Sequence, residues 1–390
     1  MGDAPSALDP VRLTQDLVRI PSVTPKVGAC FDLLEEVLRP LGFEVERVSF
    51  AGPGAEPVEN MLATLGEPGS NGLHLAFAGH VDVVPPGDVK AWGQDPFAGT
   101  IVNGRLFGRG AADMKSGVAA FVAAVANWRE TTHPLPGKIS LLLTGDEEGP
   151  AVDGTVKLLE WATARGHRFD ACVVGEPTSQ SELGDMMKIG RRGSLTGRLS
   201  VYGRQGHVGY PHRADNAAHR LVAMLASLLA QPLDAGNAFF EPSSLQVTTI
   251  DIGNAATNVV PGLARAVFNI RHNDLHNARS LEVWVRDRLD AVGGRYDLEL
   301  KSSGDAFLTS PGPLSETLAA AVGEVTGRTP VLSTSGGTSD ARFICHYCPV
   351  VELGLPGPSM HQVDEHVALE DITGLARIYE VFLRRYFARS

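Results

Sequence analysis

Three consecutive acids follow an apolar run in the sequence LLLTGDEEGP, which covers residues 141–150. Asp146, Glu147 and Glu148 come directly after a stretch that has the pattern of a buried strand. Adjacent carboxylates at such a position repel one another and are costly to remove from water. The cluster therefore needs a chemical explanation, such as a cation nearby.

Other blocks also place polar side chains where predicted strands end. In open α/β sheets, function gathers at the carboxyl ends of strands. The further candidates are His80 and Asp82 in GHVDVVP, Asp113 in GRGAADMKSG, Glu176 in VVGEPTS and His361 in GPSMHQVDEHV. Taken singly, each has an ordinary structural explanation. Asp113 could cap a helix, and His361 or its neighbour His366 could be a surface residue.

Taken together, two histidines and three carboxylates indicate divalent metal ions. An uncompensated anionic pocket is costly, and mixed imidazole and carboxylate ligands suit Zn²⁺ or a similar ion. A catalytic zinc usually keeps three protein ligands, so five ligands predict two metals that share a bridging carboxylate. The predicted metal ligands are His80, Asp113, Glu148, Glu176 and His361.

Glu147 is predicted to be the general base, because adjacent residues at a strand end need not share one task. Glu148 would bind a metal. Glu147, without a metal bond, would take a proton from the water between the two metals and pass it to the leaving amine. Asp82 follows His80 by two residues, and its carboxylate is predicted to accept the imidazole N–H and fix the tautomer of His80.

The spacing of apolar residues predicts two domains of different class. Residues 1–187 alternate helical and strand patterns, which predicts an α/β domain with helices on both faces of a mostly parallel sheet. Residues 188–302 follow the order strand, helix, strand, strand, helix, strand, which predicts an α+β sandwich. Residues 303–390 return to the first pattern. We therefore expect a catalytic domain of residues 1–187 and 303–390, with residues 188–302 inserted as a second domain.

Length and composition narrow the class of protein. The 390 residues suffice for two domains, and a hydrophobic fraction of 43% is typical of soluble globular proteins. The net charge of −11 argues against nucleic acid or an anionic membrane as a main partner. We find no apolar run of membrane-spanning length and expect no signal peptide. The 4 cysteines do not make a disulfide framework, so we expect a cytoplasmic protein in which CHYC, residues 345–348, is a buried thiol pair.

Five blocks resemble those of the two-zinc aminoacylase/carboxypeptidase family of metallohydrolases. They are GHVDVVPPGD, GRGAADMKSG, GDEEG, GEPT and MHQVDEHV, and the resemblance covers nearly the whole chain. It implies that His80 and Glu176 hold one zinc, that Glu148 and His361 hold the other, and that Asp113 bridges them. It also implies a cis peptide bond after the bridging aspartate. Cobalt or manganese would tolerate the same ligands.

The resemblance also assigns roles to the inserted domain, which is a lid and a homodimerisation domain in this family. His207, in GRQGHVGYP, matches a histidine that reaches the partner's active site and stabilises the oxyanion. The positions that match substrate contacts of the family are Arg191, Ser194, Asn258, Arg271, Gly337 and Thr338. Arginines suit substrate carboxylates, because a guanidinium can bind them through two parallel hydrogen bonds. A solvated basic turn at GRRG and a plain flexible loop at SGGTSD are the alternatives.

Three further blocks narrow the expected reaction. KIGRRGSLTGRLSVYGRQGHVGYPHRADNA, TNVVPGLARAVFNIR and STSGGTSDARFI are most similar to family members that hydrolyse N-succinyl-LL-2,6-diaminopimelate to succinate and LL-2,6-diaminopimelate. That reaction serves bacterial lysine and cell-wall precursor synthesis, and its small-molecule substrate carries carboxylates.

Other functions remain as alternatives. The nearest is another deacylase of the family, such as an acetylornithine deacetylase or an aminoacylase, with the same metals. A non-catalytic binding module would normally lack a ligand or the base, and here every position is filled. GRGAAD does not fit G-x-G-x-x-G and no P-loop is present, which argues against a nucleotide binder.

Overall fold

The structure is a computed structural model that describes residues 8–67, 72–132 and 134–388. Residues 1–7, part of the N-terminus for which we expect no signal peptide, lie outside these ranges. The α-helices in the described residues are α1 Pro10–Val18, α2 Gly28–Leu38, α3 Ser116–Thr131, α4 Thr155–Ala164, α5 Ala217–Leu229, α6 Ala278–Val292, α7 Pro313–Thr326, α8 Ala341–Ile344 and α9 Leu369–Phe387.

The described strands have two to ten residues. They are β1 Glu44–Phe50, β2 Val58–Leu65, β3 His74–His80, β4 Thr100–Val102, β5 Arg105–Phe107, β6 Lys138–Thr144, β7 Ala171–Val174, β8 Met186–Lys188, β9 Gly190–Arg191, β10 Gly193–Tyr202, β11 Gly206–His207, β12 Ser244–Asp251, β13 Val259–Val260, β14 Leu263–His272, β15 Tyr296–Gly304, β16 Phe307–Leu308, β17 Val331–Ser333, β18 Val350–Glu352 and β19 His366–Ala368. Of these, β3, β7, β9 and β18 are buried at every residue.

The chain separates into two compact units. Unit 2 consists of Gly190–Leu308 and Thr334–Thr338, and unit 1 contains the rest of the chain. The predicted inserted domain, residues 188–302, overlaps unit 2, which extends further because β16 pairs with β9. The sequence patterns did not indicate that Thr334–Thr338 belongs to this unit. The lid and dimerisation roles of the domain stay predictions.

Unit 1 is built on an eight-stranded sheet in the order β1-β2-β6-β3-β7-β18-β8-β17. The neighbouring pairs β6–β3, β3–β7, β7–β18 and β8–β17 are parallel. Every residue of β3 is buried although successive side chains point to opposite faces of the sheet. Both faces are therefore covered, and the predicted α/β class of this domain is confirmed.

An aromatic cluster joins the centre of this sheet to two helices. Phe77 on β3 stacks on Phe121 of α3 with ring centroids 4.1 Å apart. Tyr379 of α9 meets Phe77 and Phe121 edge-on, at 5.8 and 5.5 Å. The buried Tyr379 hydroxyl donates a hydrogen bond to the Leu353 carbonyl. The cluster fixes α3, and α3 begins three residues after Asp113.

Gly117, in the first turn of α3, lets this helix approach the end of β7. A Cβ at residue 117 would lie 2.4 Å from the carbonyl oxygen of Gly175, next to Glu176. We expect Gly117→Ala to lower the free energy of unfolding by about 1–3 kcal/mol through overpacking. Urea unfolding curves would measure this effect.

Gly323→Ala in α7 is the matched control. The nearest atom to a Cβ at residue 323 is the Arg328 carbonyl oxygen at 3.4 Å, an ordinary contact. We expect that variant to gain roughly 0.5–1 kcal/mol, because alanine favours a helix interior over glycine. Equal stability of the Gly117 and Gly323 variants would contradict the close approach.

Unit 2 pairs a four-stranded antiparallel sheet with two helices. The strand order is β12-β14-β10-β15. Buried residues alternate along β10 and β14, and α5 buries one face through Leu221, Met224, Leu225 and Leu228. Helix α5 contacts α6 and both of the central strands. The predicted α+β sandwich is confirmed.

The cysteines of the described residues form no disulfide. Cys348 is buried and Cys345 is partly exposed, so only one of the two residues predicted to form a buried thiol pair is buried. Burial raises the pKa of Cys345 to about 11 and, with Asp170 and Cys345 nearby, the pKa of Cys348 to about 12. Both thiols are therefore protonated at neutral pH. None of the helices in the described ranges is long and apolar enough to cross a membrane.

Candidate active site

Three neighbouring parallel strands bring predicted site residues to one edge of the unit 1 sheet. β3 ends at His80 and lies between β6 and β7. The segment after β6 carries Glu147 and Glu148, and the segment after β7 carries Glu176. Because the carboxyl ends of parallel strands meet at the same edge, residues far apart in the chain come together there.

His80, Asp113 and Glu176 form the first group of possible metal ligands, with ligand atoms within 4.8 Å of one another. His80 Nε2 lies 3.1 Å from Asp113 Oδ1 and 3.6 Å from Glu176 Oε1. Burial opposes protonation of His80, but these two acids hold its pKa well above its usual value. Burial, with Asp113 and Glu147 nearby, raises the pKa of Glu176. A divalent cation would take the place of the protons that these groups otherwise share.

Asp113, Glu148 and His361 form the second group. His361 Nε2 lies 2.8 Å from Glu148 Oε1 and 3.2 Å from Asp113 Oδ2. Hydrogen bonds to Asp113 and Glu148 raise the pKa of His361 to about 10. Burial opposes ionisation of Asp113, yet its hydrogen bonds with His361 and His80 hold its pKa well below the usual value.

Asp113 therefore faces both groups with different oxygens, Oδ1 toward His80 and Oδ2 toward His361. A carboxylate shared in this way is the arrangement expected between two divalent ions. Each group offers imidazole nitrogen and carboxylate oxygen, which suits zinc and similar metals. The five predicted ligands thus lie together, and their chemistry fits a pair of ions.

The peptide bond between Asp113 and Met114 is cis, as the family resemblance implies. Asp113 has extended backbone angles, φ −124° and ψ 98°, in a tight turn at Ala111–Lys115. Its carboxylate oxygens bond to His80 and His361, so it does not serve as a helix cap. His366 lies outside both groups, because its Nε2 bonds to Arg105 Nη1 at 2.6 Å.

Glu147 lies outside both ligand groups but close to them. Burial raises its pKa to about 8, with Asp340 as the next cause; His80 opposes the shift, and Asp113 and Glu148 add to it. A half-buried carboxyl whose proton affinity is raised in this way is suited to accept and return a proton. Asp340, a buried acid in the block STSGGTSDARFI, is a residue that sequence analysis did not select.

Asp82 makes different contacts from those predicted. His80 Nδ1 lies 2.9 Å from the main-chain carbonyl of Asp82 and 3.6 Å from its carboxylate. The Asp82 carboxylate accepts hydrogen bonds from the main-chain N–H groups of Glu147 and Glu148, at 3.3 and 3.1 Å. The prediction that the Asp82 carboxylate accepts the imidazole N–H of His80 was therefore wrong, because the backbone carbonyl of Asp82 lies closer to Nδ1. The carboxylate instead holds the segment that carries the predicted base.

Glu365 and Arg109 are two further buried residues that sequence analysis missed. Both lie inside blocks already noted for their ligands, VDEHV and GRGAAD. Glu365 accepts hydrogen bonds from the main chain at Ala112 and Asp113, and pairs with Arg109. No spacing rule distinguishes such a residue from its exposed neighbours, so only position beside a ligand could have indicated it.

In unit 2, the predicted substrate contacts form small neighbourhoods. Arg191 Nη1 donates to the Gly337 carbonyl at 3.2 Å, and Thr338 follows Gly337. Ser194 on β10 lies opposite Arg271 on β14. Burial and the nearby Arg192 lower the pKa of Arg271. These contacts leave Arg271 without a carboxylate partner in the described part of unit 2.

His207 and Asn258 form the other neighbourhood of unit 2. Strand β11, which ends at His207, pairs with β13, and the Val208 N–H donates to the Asn258 carbonyl. His207 is exposed, and its Nδ1 accepts a hydrogen bond from the Gly209 N–H at 3.0 Å. Because Nδ1 is an acceptor, the neutral imidazole carries its proton on Nε2. His207 therefore presents an N–H donor to the solvent.

Comparison with known proteins shows close relatives of this chain. It is 57% identical over 382 residues to succinyl-diaminopimelate desuccinylase of Rhodospirillum centenum, covering 98% of each chain. It is 55% identical over 387 residues to the protein of the same name from Parvibaculum lavamentivorans, covering 98% of this chain and 97% of the relative.

A solved structure and a family model agree with this result. The structure of aminopeptidase PepT from Bacillus cereus aligns with a TM-score of 0.77 at 21% identity, covering 97% of this chain and 98% of that one, which shows a shared fold. The model of peptidase family M20/M25/M40 matches residues 76–385. The chain belongs to peptidase family M20/M25/M40.

Proposed function

We propose that this protein is a metal-dependent amidohydrolase that hydrolyses the amide of N-succinyl-LL-2,6-diaminopimelate to succinate and LL-2,6-diaminopimelate. The proposed substrate rests on the 57% identity, over 98% of the chain, to succinyl-diaminopimelate desuccinylase of Rhodospirillum centenum. The proposed chemistry rests on the Asp113 carboxylate, which two ligand groups share, and on Glu147, which interacts electrostatically with His80, Asp113 and Glu148.

We propose that two divalent ions occupy these groups, most simply zinc, with cobalt or manganese as substitutes. His80, Asp113 and Glu176 would hold one ion, and Asp113, Glu148 and His361 the other. When bound, such ions polarise a carbonyl and lower the pKa of a water molecule. The protein's own side chains then have to move the proton, bind the oxyanion and orient the substrate.

Glu147 is the proposed general base. It accepts a proton from the attacking water and returns it to the leaving amine, which its raised pKa supports. Asp82 holds Glu147 and Glu148 through their main-chain N–H groups and so keeps the base in place. His207 of a partner subunit is proposed to donate its Nε2–H to the oxyanion, because a preformed donor stabilises charge that develops in the transition state.

Arg191 and Arg271 are proposed to bind carboxylates of the substrate, together with Ser194, Asn258, Gly337 and Thr338. Among the described residues of unit 2, Arg271 has no carboxylate partner and lies near Arg192, which supports an anionic ligand, since like charges in a half-buried position are unfavourable without one. The biosynthetic substrate and the free cysteines support a cytoplasmic enzyme of lysine and cell-wall precursor synthesis.

The test is a comparison of substrates with zinc-loaded protein and with a chelated control. Faster amide hydrolysis of N-succinyl-LL-diaminopimelate than of N-acetylornithine, abolished by chelation, is the expected result. Preference for acetylornithine would keep the metal site and overturn the proposed acyl pocket. Hydrolysis of the succinyl substrate at an unchanged rate after complete removal of metal would overturn the proposed chemistry.

His207→Ala should lower kcat by roughly 100- to 1000-fold, the usual loss when one oxyanion donor is removed. Metal content should stay unchanged, because unit 2 holds none of the predicted ligands. His212→Ala is the matched control, an exposed histidine five residues further along the same segment. Equal kcat in both variants would contradict the proposed role of His207.

Exposed apolar residues support the proposed homodimer. β12 is an edge strand of its sheet, so its outer backbone groups are unpaired within unit 2. Ile250 on β12 is 56% exposed, and Val222 and Leu229 on α5 are 61% and 55% exposed. Such exposed apolar side chains on an edge strand and on α5 favour an interface between copies.

Mixing two inactive variants tests the dimer and the partner's role together. A hybrid of Glu147→Gln with His207→Ala has one site with an intact base and an intact donor. Random exchange of subunits should restore about a quarter of wild-type activity, since half of the dimers are hybrids with one good site each. No recovery after verified subunit exchange would contradict donation by the partner.

A further inference from the structure

A buried carboxylate outside the ligand groups holds the main chain at the bridging residue. Glu365 has no exposed surface. Its Oε1 accepts hydrogen bonds from the N–H groups of Ala112 at 2.8 Å and Asp113 at 3.2 Å. Its Oε2 accepts from Arg109 Nη1 at 2.7 Å. A buried charge is tolerated when it is paired and hydrogen-bonded in this way.

Arg109 connects the same carboxylate to the segment that carries His361. Its Nη2 lies 3.5 Å from the His361 carbonyl oxygen, and its guanidinium lies 5.2 Å from the ring centre of Trp92. The Gly108 N–H donates to the Glu365 carbonyl at 2.9 Å, so the main chains are joined as well. The pair therefore links the turn before α3 to the loop before β19, and each of these carries one ligand of the second group.

Asp82 makes the same kind of contact elsewhere in the site. Its carboxylate accepts two successive main-chain N–H groups, those of Glu147 and Glu148. Glu365 does this for Ala112 and Asp113. In both cases a buried acid that lies outside the ligand groups fixes the backbone of a ligand, and the direction of the ligand's side chain depends on that backbone.

We propose that Glu365, held by Arg109, is a positioning residue that sets the Asp113 carboxylate between the two metal ions. This inference rests on the proposed two-metal function of the site, but it does not depend on which amide is hydrolysed. Loss of the Glu365 charge frees the turn at Asp113, so that Oδ1 and Oδ2 no longer match both groups at once. The main effect falls on the affinity for the ion of the second ligand group, which we call the second ion.

The test is calorimetric titration of the apo full-length protein with Co²⁺, with the visible spectrum of the bound ion as a second readout. Glu365→Gln keeps the size of the side chain but loses the charge and places an amide NH₂ against Arg109. We expect the dissociation constant of the second ion to rise about 10- to 100-fold, the usual effect of groups that orient a ligand. We also expect an altered cobalt spectrum.

Asp234→Asn in unit 2 is the matched control, because Asp234 also accepts hydrogen bonds from main-chain N–H groups, those of Gly236 and Ser243. It should lower stability and leave cobalt binding unchanged. Arg109→Lys keeps a cation beside Glu365 and should weaken the second ion by less than Glu365→Gln does. This variant also serves if the glutamine variant does not fold.

The outcomes separate this inference from the proposed function. Cobalt affinities and spectra in both Glu365→Gln and Arg109→Lys that match Asp234→Asn would overturn it and leave Glu365 a purely structural residue. Weakened cobalt binding in a protein that does not cleave the succinyl substrate would support it while the proposed substrate fails. Wild-type protein that binds fewer than two cobalt ions would overturn it.

Discussion

Glu147→Gln is expected to lower kcat by about two to four powers of ten while the metal content and the affinity for substrate stay near wild type. The amide has almost the same shape as the carboxylate but cannot accept a proton, and general-base catalysis contributes on this scale. Glu147 lies outside both ligand groups, so the substitution removes no predicted metal ligand.

The measurement combines single-turnover rates with metal analysis and substrate titration. Glu148→Gln is the matched control, since it makes the same chemical change one residue away in a predicted ligand. That variant should lose metal from the second group. Near-normal turnover in Glu147→Gln, or loss of metal equal to that in Glu148→Gln, would contradict the assignment of Glu147 as the general base.

Asp113→Ala should affect both ions, because its two oxygens face different ligand groups. After dialysis we expect less than one metal ion per chain and a fall in kcat of at least about four powers of ten. His361→Ala removes a ligand from the second group only and should retain about one ion.

Metal analysis after dialysis against a defined buffer would check this order. His366→Ala is the control from the same loop, since His366 bonds to Arg105 and lies outside both groups. It should keep two ions. An Asp113→Ala protein that still holds two ions would show that the ligand groups do not share this carboxylate.

The grouping of the proposed ligands was predictable because each stands in a short block, and three of these blocks follow the ends of neighbouring strands. An acid pair after an apolar strand, as at Glu147 and Glu148, has few structural explanations. The neighbouring order of β6, β3 and β7 then brings the blocks together, which follows from the parallel sheet. The roles of these residues remain predictions until the variants are measured.

What could not be predicted lies in contacts to the main chain. Residue types do not indicate that the Asp82 carboxylate meets the N–H groups of Glu147 and Glu148 while its carbonyl meets His80. The same holds for Glu365, which reaches Asp113 across 252 positions of sequence. Such bonds depend on backbone direction, which forms only with the tertiary structure. The membership of Thr334–Thr338 in unit 2 also has no local signal.

The order of the central strands couples metal loading to folding. The proposed ligands range from residue 80 to residue 361, so the unfolded chain has no preformed site. Each ion therefore stabilises only the native state, by about 2.7 kcal/mol when its free concentration is 100 times its dissociation constant. With both ions bound as proposed, a fall in available metal lowers the amount of folded enzyme as well as its turnover. Metal removal should therefore lower the free energy of unfolding as well as the rate of catalysis.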